Sequence, residues 1–154
     1  MPLEKSSSES VFQIYLIVDT NVVVSSLLKE QTPPWRIINK DARFPIVFCA
    51  NDAIMAEYKA VLHRAKFGFT KGMIDSFFAN FNRGLYSVSR KRLCFDLPDP
   101  KDACFYEAYL IMRQKSDFSF LVTGNLRHFP KDDHVLSPRE LLDLLESWDA
   151  DWPS

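Results

Sequence analysis

The stretch Ile14–Val18 is the feature that most narrows the folds open to this chain. It is short, apolar and rich in β-branched residues, and it runs directly into Asp19. Such a stretch is typical of a strand buried on both faces, as in the middle of a parallel sheet. Ligands of parallel sheets bind beyond the carboxyl ends of the strands. We therefore expect Asp19 at the functional edge of a parallel sheet.

The same arrangement returns late in the chain, where the apolar residues 120–122 run into Thr123, Gly124 and Asn125. Two central strands would then deliver polar side chains to the edge that also holds Asp19. Glycine permits a tight turn before Asn125, whose amide can bind a metal through its oxygen or a phosphate through its nitrogen. The alternative interpretation is that Asn125 is only a turn residue.

Predicted strands and helices alternate along the rest of the chain. Further strands are predicted over residues 44–49, 86–88 and 135–136, a helix or turn over residues 22–28, and helices over residues 34–38, 51–64, 73–81 and 138–147, with one more whose inner face carries residues 105–112. This alternation predicts an α/β sandwich with a parallel sheet. We expect residues 12–150 to form a single domain, and the serine-rich residues 1–11 to be a disordered tail.

Charge and cysteine content exclude several classes of protein. A formal net charge of −1 argues against binding nucleic acid through a bulk positive field, so any such contact must be local. The three cysteines have no CxxC spacing, so neither a disulfide framework nor a zinc site is indicated. No apolar run approaches the length of a membrane span, and no signal peptide is recognisable. We expect a cytoplasmic protein with no membrane partner.

Glu57 stands out because a helix places it on the side that should be buried. It follows Ile54 by three residues and precedes Val61 by four, which puts all three on one helix face. An unpaired buried charge is costly, so a metal ion or an arginine should compensate it. Alternatively, the stem of Glu57 is buried and its carboxylate reaches solvent.

Asp99 and Asp102 lie at the start of another predicted helix. Asp102 lines up with Phe105 and Tyr109 and should point inward, whereas Asp99 is the better helix cap. Several carboxylate and amide oxygens at one sheet edge favour a hard cation such as Mg²⁺ or Mn²⁺. Each residue alone has a plainer explanation, and Asp19 in particular could simply cap the helix that follows it.

Arg127 and His128 follow residues 120–125, which we call the late motif, after one intervening residue. Arg127 is a candidate phosphate contact. His128 is a second candidate, although an isolated histidine is more often a hydrogen-bonded core or surface residue than a ligand.

Four segments match one family in the right order: residues 18–21, residues 55–58 around Glu57, residues 99–102 with Phe105 after them, and residues 121–130. Over about residues 14–147 the chain resembles a PIN domain, of the class of bacterial toxin components related to VapC toxins. The resemblance implies a three-layer α/β/α sandwich around a mostly parallel sheet. It also implies a ribonuclease that hydrolyses RNA phosphodiester bonds with Mg²⁺ or Mn²⁺, as the toxin of a type II toxin-antitoxin pair.

The resemblance also assigns roles to individual residues. The acidic metal-binding positions match Asp19, Glu57 and Asp102, an accessory acid matches Asp99, and neighbouring motif positions hold Asn21 and Thr123 as accessory residues. Asn125 stands where many relatives carry a fourth acid. That difference removes a negative charge and is expected to weaken a second metal site.

Partners follow from the same resemblance. PIN toxins pair through helices near the active-site face, which together with the many aromatic residues implies a homodimer. The helix with Phe77, Phe78 and Phe81 is a candidate surface, though packing in the core explains these rings equally well. A cognate antitoxin is expected to insert a basic or aromatic side chain among the acids.

Two other functions stay open on the sequence. Because Asn125 replaces an acid, the chain could be a PIN-like module that binds RNA or a partner protein with little turnover. A nucleotide-binding or phosphotransfer domain is the other alternative, but the chain has only four glycines and lacks the glycine-rich phosphate loops. Covalent phosphorylation of Asp19 would favour that alternative again.

Overall fold

The computed structural model describes residues 12–39 and 43–150, and the expected tail of residues 1–11 lies outside the described residues. Within them the strands and helices are β1 (Ile14–Val18), α1 (Thr20–Leu28), α2 (Pro33–Ile38), β2 (Ile46–Ala50), α3 (Asp52–Leu62), α4 (Lys71–Phe81), β3 (Tyr86–Ser87), α5 (Ala103–Lys115), β4 (Ser119–Val122), β5 (Val135–Leu136) and α6 (Pro138–Ala150). Short 3-10 helices lie at Ala65–Phe67, Pro100–Asp102 and Leu126–His128.

The five strands form one parallel sheet in the order β3-β2-β1-β4-β5. β1 is central, and its last residue, Val18, lies opposite Val122, the last residue of β4. The residues that follow, Asp19 and Thr123, therefore emerge side by side at the carboxyl edge. We predicted a mostly parallel sheet, and every strand pair among the described residues is parallel, which long crossover connections make feasible.

Helices cover the sheet in a three-layer α/β/α sandwich. α5 packs along β1, β2 and β4, whereas α2 contacts both α1 and α6. The buried apolar side chains form one continuous core. β1 and β4 are buried almost throughout, which explains why their sequences are unbroken apolar runs.

Tyr58 ties the core to the end of β1. Its ring is fully buried and lies 5.3 Å from the ring of Phe81 on α4. Its hydroxyl donates a hydrogen bond to the carbonyl oxygen of Val18, which satisfies both buried polar groups. Because Tyr58 follows Glu57 on α3, this bond also fixes the helix that carries Glu57 against the strand that precedes Asp19.

Most elements have a boundary that differs from our predictions by one to three residues, and the start of α1 and the end of α6 are two examples. α1 begins at Thr20 rather than residue 22, because the Asp19 carboxylate accepts a hydrogen bond from the Thr20 N–H and caps the helix there. α6 extends to Ala150 rather than residue 147.

The aromatic rings of α4 pack mainly inward. Phe77 and Phe81 are core residues, so core packing explains these two, and only Phe78 is partly exposed. Among the described residues, no helix is both long enough and apolar enough to cross a membrane.

Candidate metal centre

Asp19 is a buried carboxylate held in one orientation. It is only 4% exposed, and its Oδ1 accepts the Thr20 N–H at 2.8 Å. Its Oδ2 accepts hydrogen bonds from Asn21 Nδ2 at 3.1 Å and from Thr123 Oγ1 at 2.8 Å. Burial raises the pKa of Asp19 above its ordinary value, although these three hydrogen bonds oppose the shift.

The hydrogen bonds leave Asp19 able to bind one more partner. A carboxylate offers about four lone-pair positions, and the three donors around Asp19 occupy three of them. The side chain is thus oriented by the ends of β1 and β4 while keeping an acceptor position for a cation. Asn21 and Thr123, expected as accessory residues, both contact this carboxylate directly.

Asp102 is the second buried acid at this edge, 7% exposed. Asp99 caps the 3-10 helix by accepting the Lys101 N–H at 3.0 Å, as the sequence predicts, and Asp102 makes no capping bond to α5. Burial, together with the charges of Asp19 and Asp99, raises the pKa of Asp102 to about 6, against the opposing effect of His128.

His128 joins Asp99 and Asp102 in a compact group. Its Nδ1 lies 3.0 Å from Asp102 Oδ2, and one ligand atom from each of the three residues lies within 4.8 Å of the others. His128 comes from the 3-10 helix after β4, so the segment that follows the late motif reaches the same site as the loop before α5. The sequence marked His128 only by its position after that motif.

Glu57 reaches the site from α3. The hydroxyl of Thr20 donates a long hydrogen bond of 3.4 Å to Glu57 Oε2, and the side chain is half-buried. The Asn51 side chain caps α3 and donates to the carbonyl of Cys104 at 3.2 Å, which joins the start of α3 to the start of α5. Glu57 therefore lies beside Thr20 rather than within the compact group formed by Asp99, Asp102 and His128.

Asn125 lies at the rim of the site, whereas Arg127 lines a separate depression with Phe129 and Glu140. Both are exposed, and the backbone N–H of Asn125 donates to Thr123 Oγ1 at 2.9 Å. Within the described part of the chain, the Asn125 side chain makes no hydrogen bond and does not cap the 3-10 helix after it. This geometry is consistent with a turn residue. It also means that no described residue would have to be displaced for the Asn125 amide to bind a ligand.

Glu107 is a buried acid that our sequence reasoning missed. It lies on the inner face of α5, is 0% exposed, and accepts hydrogen bonds from Arg90 Nε at 2.7 Å and from the backbone N–H groups of Lys91 at 3.1 Å and Leu93 at 2.7 Å. Burial raises its pKa, but the hydrogen bonds and the Arg90 charge outweigh burial and lower it. The signal in the sequence was an acid on an apolar helix face, with the basic residues 90–92 upstream.

Comparison with known proteins is consistent with this geometry. A family model described as PIN domain matches residues 15–127. The matched range includes Asp19, Glu57, Asp99, Asp102 and Asn125. No curated protein and no solved structure gives a significant match to the chain.

Proposed function

The chain belongs to the PIN domain family, whose members are in general nucleases, and from this we propose that it is a metal-dependent ribonuclease that hydrolyses RNA phosphodiester bonds. One observation carries the proposal: Asp99, Asp102 and His128 each bring a ligand atom within 4.8 Å of the others, and burial together with the charges of Asp19 and Asp99 raises the pKa of Asp102 to about 6. Ionisable groups whose pKa is shifted by burial and by neighbouring charges are common at functional sites.

The donor set fits a hard divalent cation. Asp19, Asp99, Asp102 and Glu57 offer carboxylate oxygens, which Mg²⁺ and Mn²⁺ prefer, and His128 adds a nitrogen that Mn²⁺ accepts more readily than Mg²⁺ does. Positive charge among these acids would also relieve their repulsion. When bound, the cation supplies Lewis-acid stabilisation of the phosphate and lowers the pKa of a coordinated water.

The residues of the chain have separable roles in this proposal. Asp19 and Asp102 hold the cation, and Asn21 and Thr123 keep Asp19 in its orientation. His128 directs Nδ1 toward Asp102, which leaves Nε2 as the ring nitrogen for a ligand or a proton.

Glu57 and Asn125 complete the proposed site from its more open side. Glu57, half-buried beside Thr20, would orient water or bind a second cation. Asn125 would orient substrate or water at the rim, because its amide is exposed and has no partner among the described residues. The exposed Arg127 would contact a phosphate of the RNA.

We further propose that the chain is the toxin of a type II toxin-antitoxin pair and acts as a homodimer in the cytoplasm. The resemblance to VapC-related toxins supports this role. An antitoxin side chain that is basic would be attracted to the same acids that attract a cation. Discovery of a small reading frame beside the gene, with a DNA-binding start and a hydrophobic tail, would support the pairing.

A second candidate function is RNA or protein binding with little turnover. The observation that favours it is Asn125, which contributes no negative charge and lies exposed at the rim. Such a module would bind RNA, with or without metal, and leave it intact.

Cleavage of labelled single-stranded RNA tests the two functions against each other. We expect cleavage in Mg²⁺ or Mn²⁺, none in chelator, and none by an Asp19→Asn variant purified in the same way. Asp96→Asn is the matched control, because Asp96 is an exposed loop acid of the same charge and should cleave like the wild type. Binding without cleavage on diverse RNAs would favour the binding module.

A further inference from the structure

Two adjoining depressions lie beside the edge strand β3, away from the acids. They have cavity volumes of about 380 Å³ and about 270 Å³, and both are lined by Tyr86 and Lys115. Because they share these residues, they form one continuous surface, which we call the edge trough. Its polar part contains Ser87, Ser89, Lys91 and Gln114, and its aromatic part contains Phe12, Tyr15 and Phe118.

The polar part of the edge trough is locally cationic. Lys91 and Lys115 line it together with the hydroxyls of Ser87 and Ser89 and the amide of Gln114. None of the described residues that line either depression is acidic, although the chain as a whole carries a net charge of −1. Both lysines are exposed, and within the described part of the chain neither forms an ion pair that would compete with a bound anion.

The aromatic part of the edge trough exposes the rings of Tyr86 and Phe118. Their exposed fractions are 37% and 40%, which is high for large apolar side chains. Tyr86 lies edge-on to Tyr15 with ring centroids 6.0 Å apart, and Phe118 lies edge-on to Phe12 at 4.3 Å. Each exposed ring is therefore supported on one side by another ring, which reduces the entropy it would lose on stacking against a ligand.

Glu107 fixes the loop that presents Lys91. Its carboxylate accepts the backbone N–H groups of both Lys91 and Leu93 and pairs with Arg90, and Arg92 between them adopts a positive φ of 55°. The loop is thus wrapped around a fully buried anion. This geometry fixes the backbone position from which the exposed Lys91 side chain extends.

We propose that the edge trough is a second binding site for single-stranded RNA, with phosphates on Lys91 and Lys115 and bases stacked on Tyr86 and Phe118. Cationic grooves combined with exposed aromatic rings are the chemistry that holds unpaired nucleic acid. The choice of RNA as the ligand rests on the proposed function.

The edge trough lies far enough from the metal centre to act as a tether. Lys115 ends α5, whereas Asp102 precedes its first residue, and a helix of 13 residues is about 20 Å long. RNA bound in the trough would therefore be held several nucleotides from the bond that is cleaved. Such a tether raises the effective concentration of RNA at the metal centre.

Binding measured in chelator tests the trough without any need for cleavage. The wild type should bind a single-stranded RNA of about 15 nucleotides, on the scale of known single-strand sites. Each lost phosphate contact should lower the slope of log affinity against log salt by about 0.7, so the Lys91→Ala, Lys115→Ala double variant should lose about 1.4. The matched control is Lys29→Ala, Lys66→Ala, which removes two exposed lysines outside the trough and should bind like the wild type.

Substitution of Tyr86 separates stacking from charge. Tyr86→Ser should weaken RNA binding by about 5- to 150-fold, the range for loss of one stacked base, whereas Tyr86→Phe should keep the affinity. Thermal unfolding of each variant checks that the edge strand is intact. A serine variant that binds RNA as tightly as the phenylalanine variant would refute stacking at this site.

The outcomes of these experiments test RNA binding in the edge trough separately from RNA cleavage at the metal centre. If the wild type and the double lysine variant have the same RNA affinity and the same salt slope, the edge trough is not an RNA-binding site, whatever the result of the cleavage assay. Binding of anionic lipid vesicles in place of RNA would also overturn the proposal. Loss of RNA binding confined to the trough variants would support the trough even if no RNA were ever cleaved.

Discussion

The side-chain oxygen of Asn21 accepts a hydrogen bond of 2.9 Å from the backbone N–H of Gly124, and so joins the turns that follow β1 and β4. The same Asn21 amide donates to Asp19 Oδ2. A Cβ at position 124 would lie 3.1 Å from Asn21 Oδ1, closer than such contacts normally are. The close approach to Asn21 therefore favours glycine at position 124. Backbone conformation is not the reason, because the described glycines with positive φ are Gly68 and Gly84.

Gly124→Ala should therefore weaken metal binding more than it weakens the fold. The added methyl group displaces the Asn21 amide, which loosens the Asp19 carboxylate. We expect Mn²⁺ affinity to fall by up to about 10-fold, the lower range for loss of a group that orients a ligand. Gly72→Ala is the control, because its Cβ would meet only Thr70 Oγ1, at 3.9 Å, and alanine favours its helix. Calorimetry measures the Mn²⁺ affinity of both variants. Equal affinities would contradict the connection from Gly124 through Asn21 to the Asp19 carboxylate.

Asp102→Asn should stabilise the metal-free protein near neutral pH. The folded-state pKa of Asp102 is raised from 3.8 to about 6, so its contribution to stability is present below about pH 4 and is lost as pH rises to 6. The ionised acid then costs the folded state about 1–3 kcal/mol near pH 7, and asparagine removes that cost. Urea unfolding in chelator measures the difference, which should vanish near pH 4. A variant less stable than the wild type near pH 7 would refute the repulsion.

The sequence predicts the fold and the positions of the carboxylates better than it predicts which residues contact those carboxylates. Asp19 and Asp102 are marked by a strand end and a helix face, which are local patterns. The register that sets Val18 opposite Val122 is not local, so the contact from Thr123 to Asp19 could be expected only in outline.

Contacts formed by loops were the least predictable from the sequence. His128 meets Asp102 across a sequence separation of 26 residues through two irregular turns, and no periodicity encodes that approach. The pairing of Glu107 with a loop is of the same kind, since the loop has no regular structure that could have predicted its path.

Glu107→Gln should destabilise the protein by about 2–4 kcal/mol, because it removes a buried charge pair and sets an amide N–H₂ against backbone donors. The folded-state pKa of Glu107 is lowered below 4.5, so its stabilisation is present above about pH 4.5 and is lost as pH falls through the folded-state value. The stability difference from the wild type should therefore shrink in acid. Glu140→Gln is the control, since exposed Glu140 accepts a single backbone N–H from Ser137 and should cost less than about 1 kcal/mol. Similar losses of stability in both variants would argue against a stabilising role for the hydrogen bonds from Arg90, Lys91 and Leu93 to Glu107.

Asn125 offers a test of the rim of the site. Asn125→Asp should tighten Mn²⁺ binding and preserve or raise RNA cleavage, because it adds a negative charge beside Thr123, whose hydroxyl contacts Asp19. Asn125→Ala should lower cleavage. Both should change stability by less than about 1 kcal/mol, since the side chain is exposed and makes no hydrogen bond among the described residues. If cleavage is the same in all three proteins, Asn125 is only a turn residue.

Titration of Mn²⁺ followed by its electron paramagnetic resonance signal tests the central claim most directly, because it counts bound ions without relying on a substrate. We expect the wild type and the Asp96→Asn control to bind Mn²⁺ alike, and Asp19→Asn and Asp102→Asn each to lose most of that binding while remaining folded. Undiminished Mn²⁺ binding by the Asp19→Asn, Asp102→Asn double variant, or no binding by the wild type, would contradict a metal centre at this edge of the sheet.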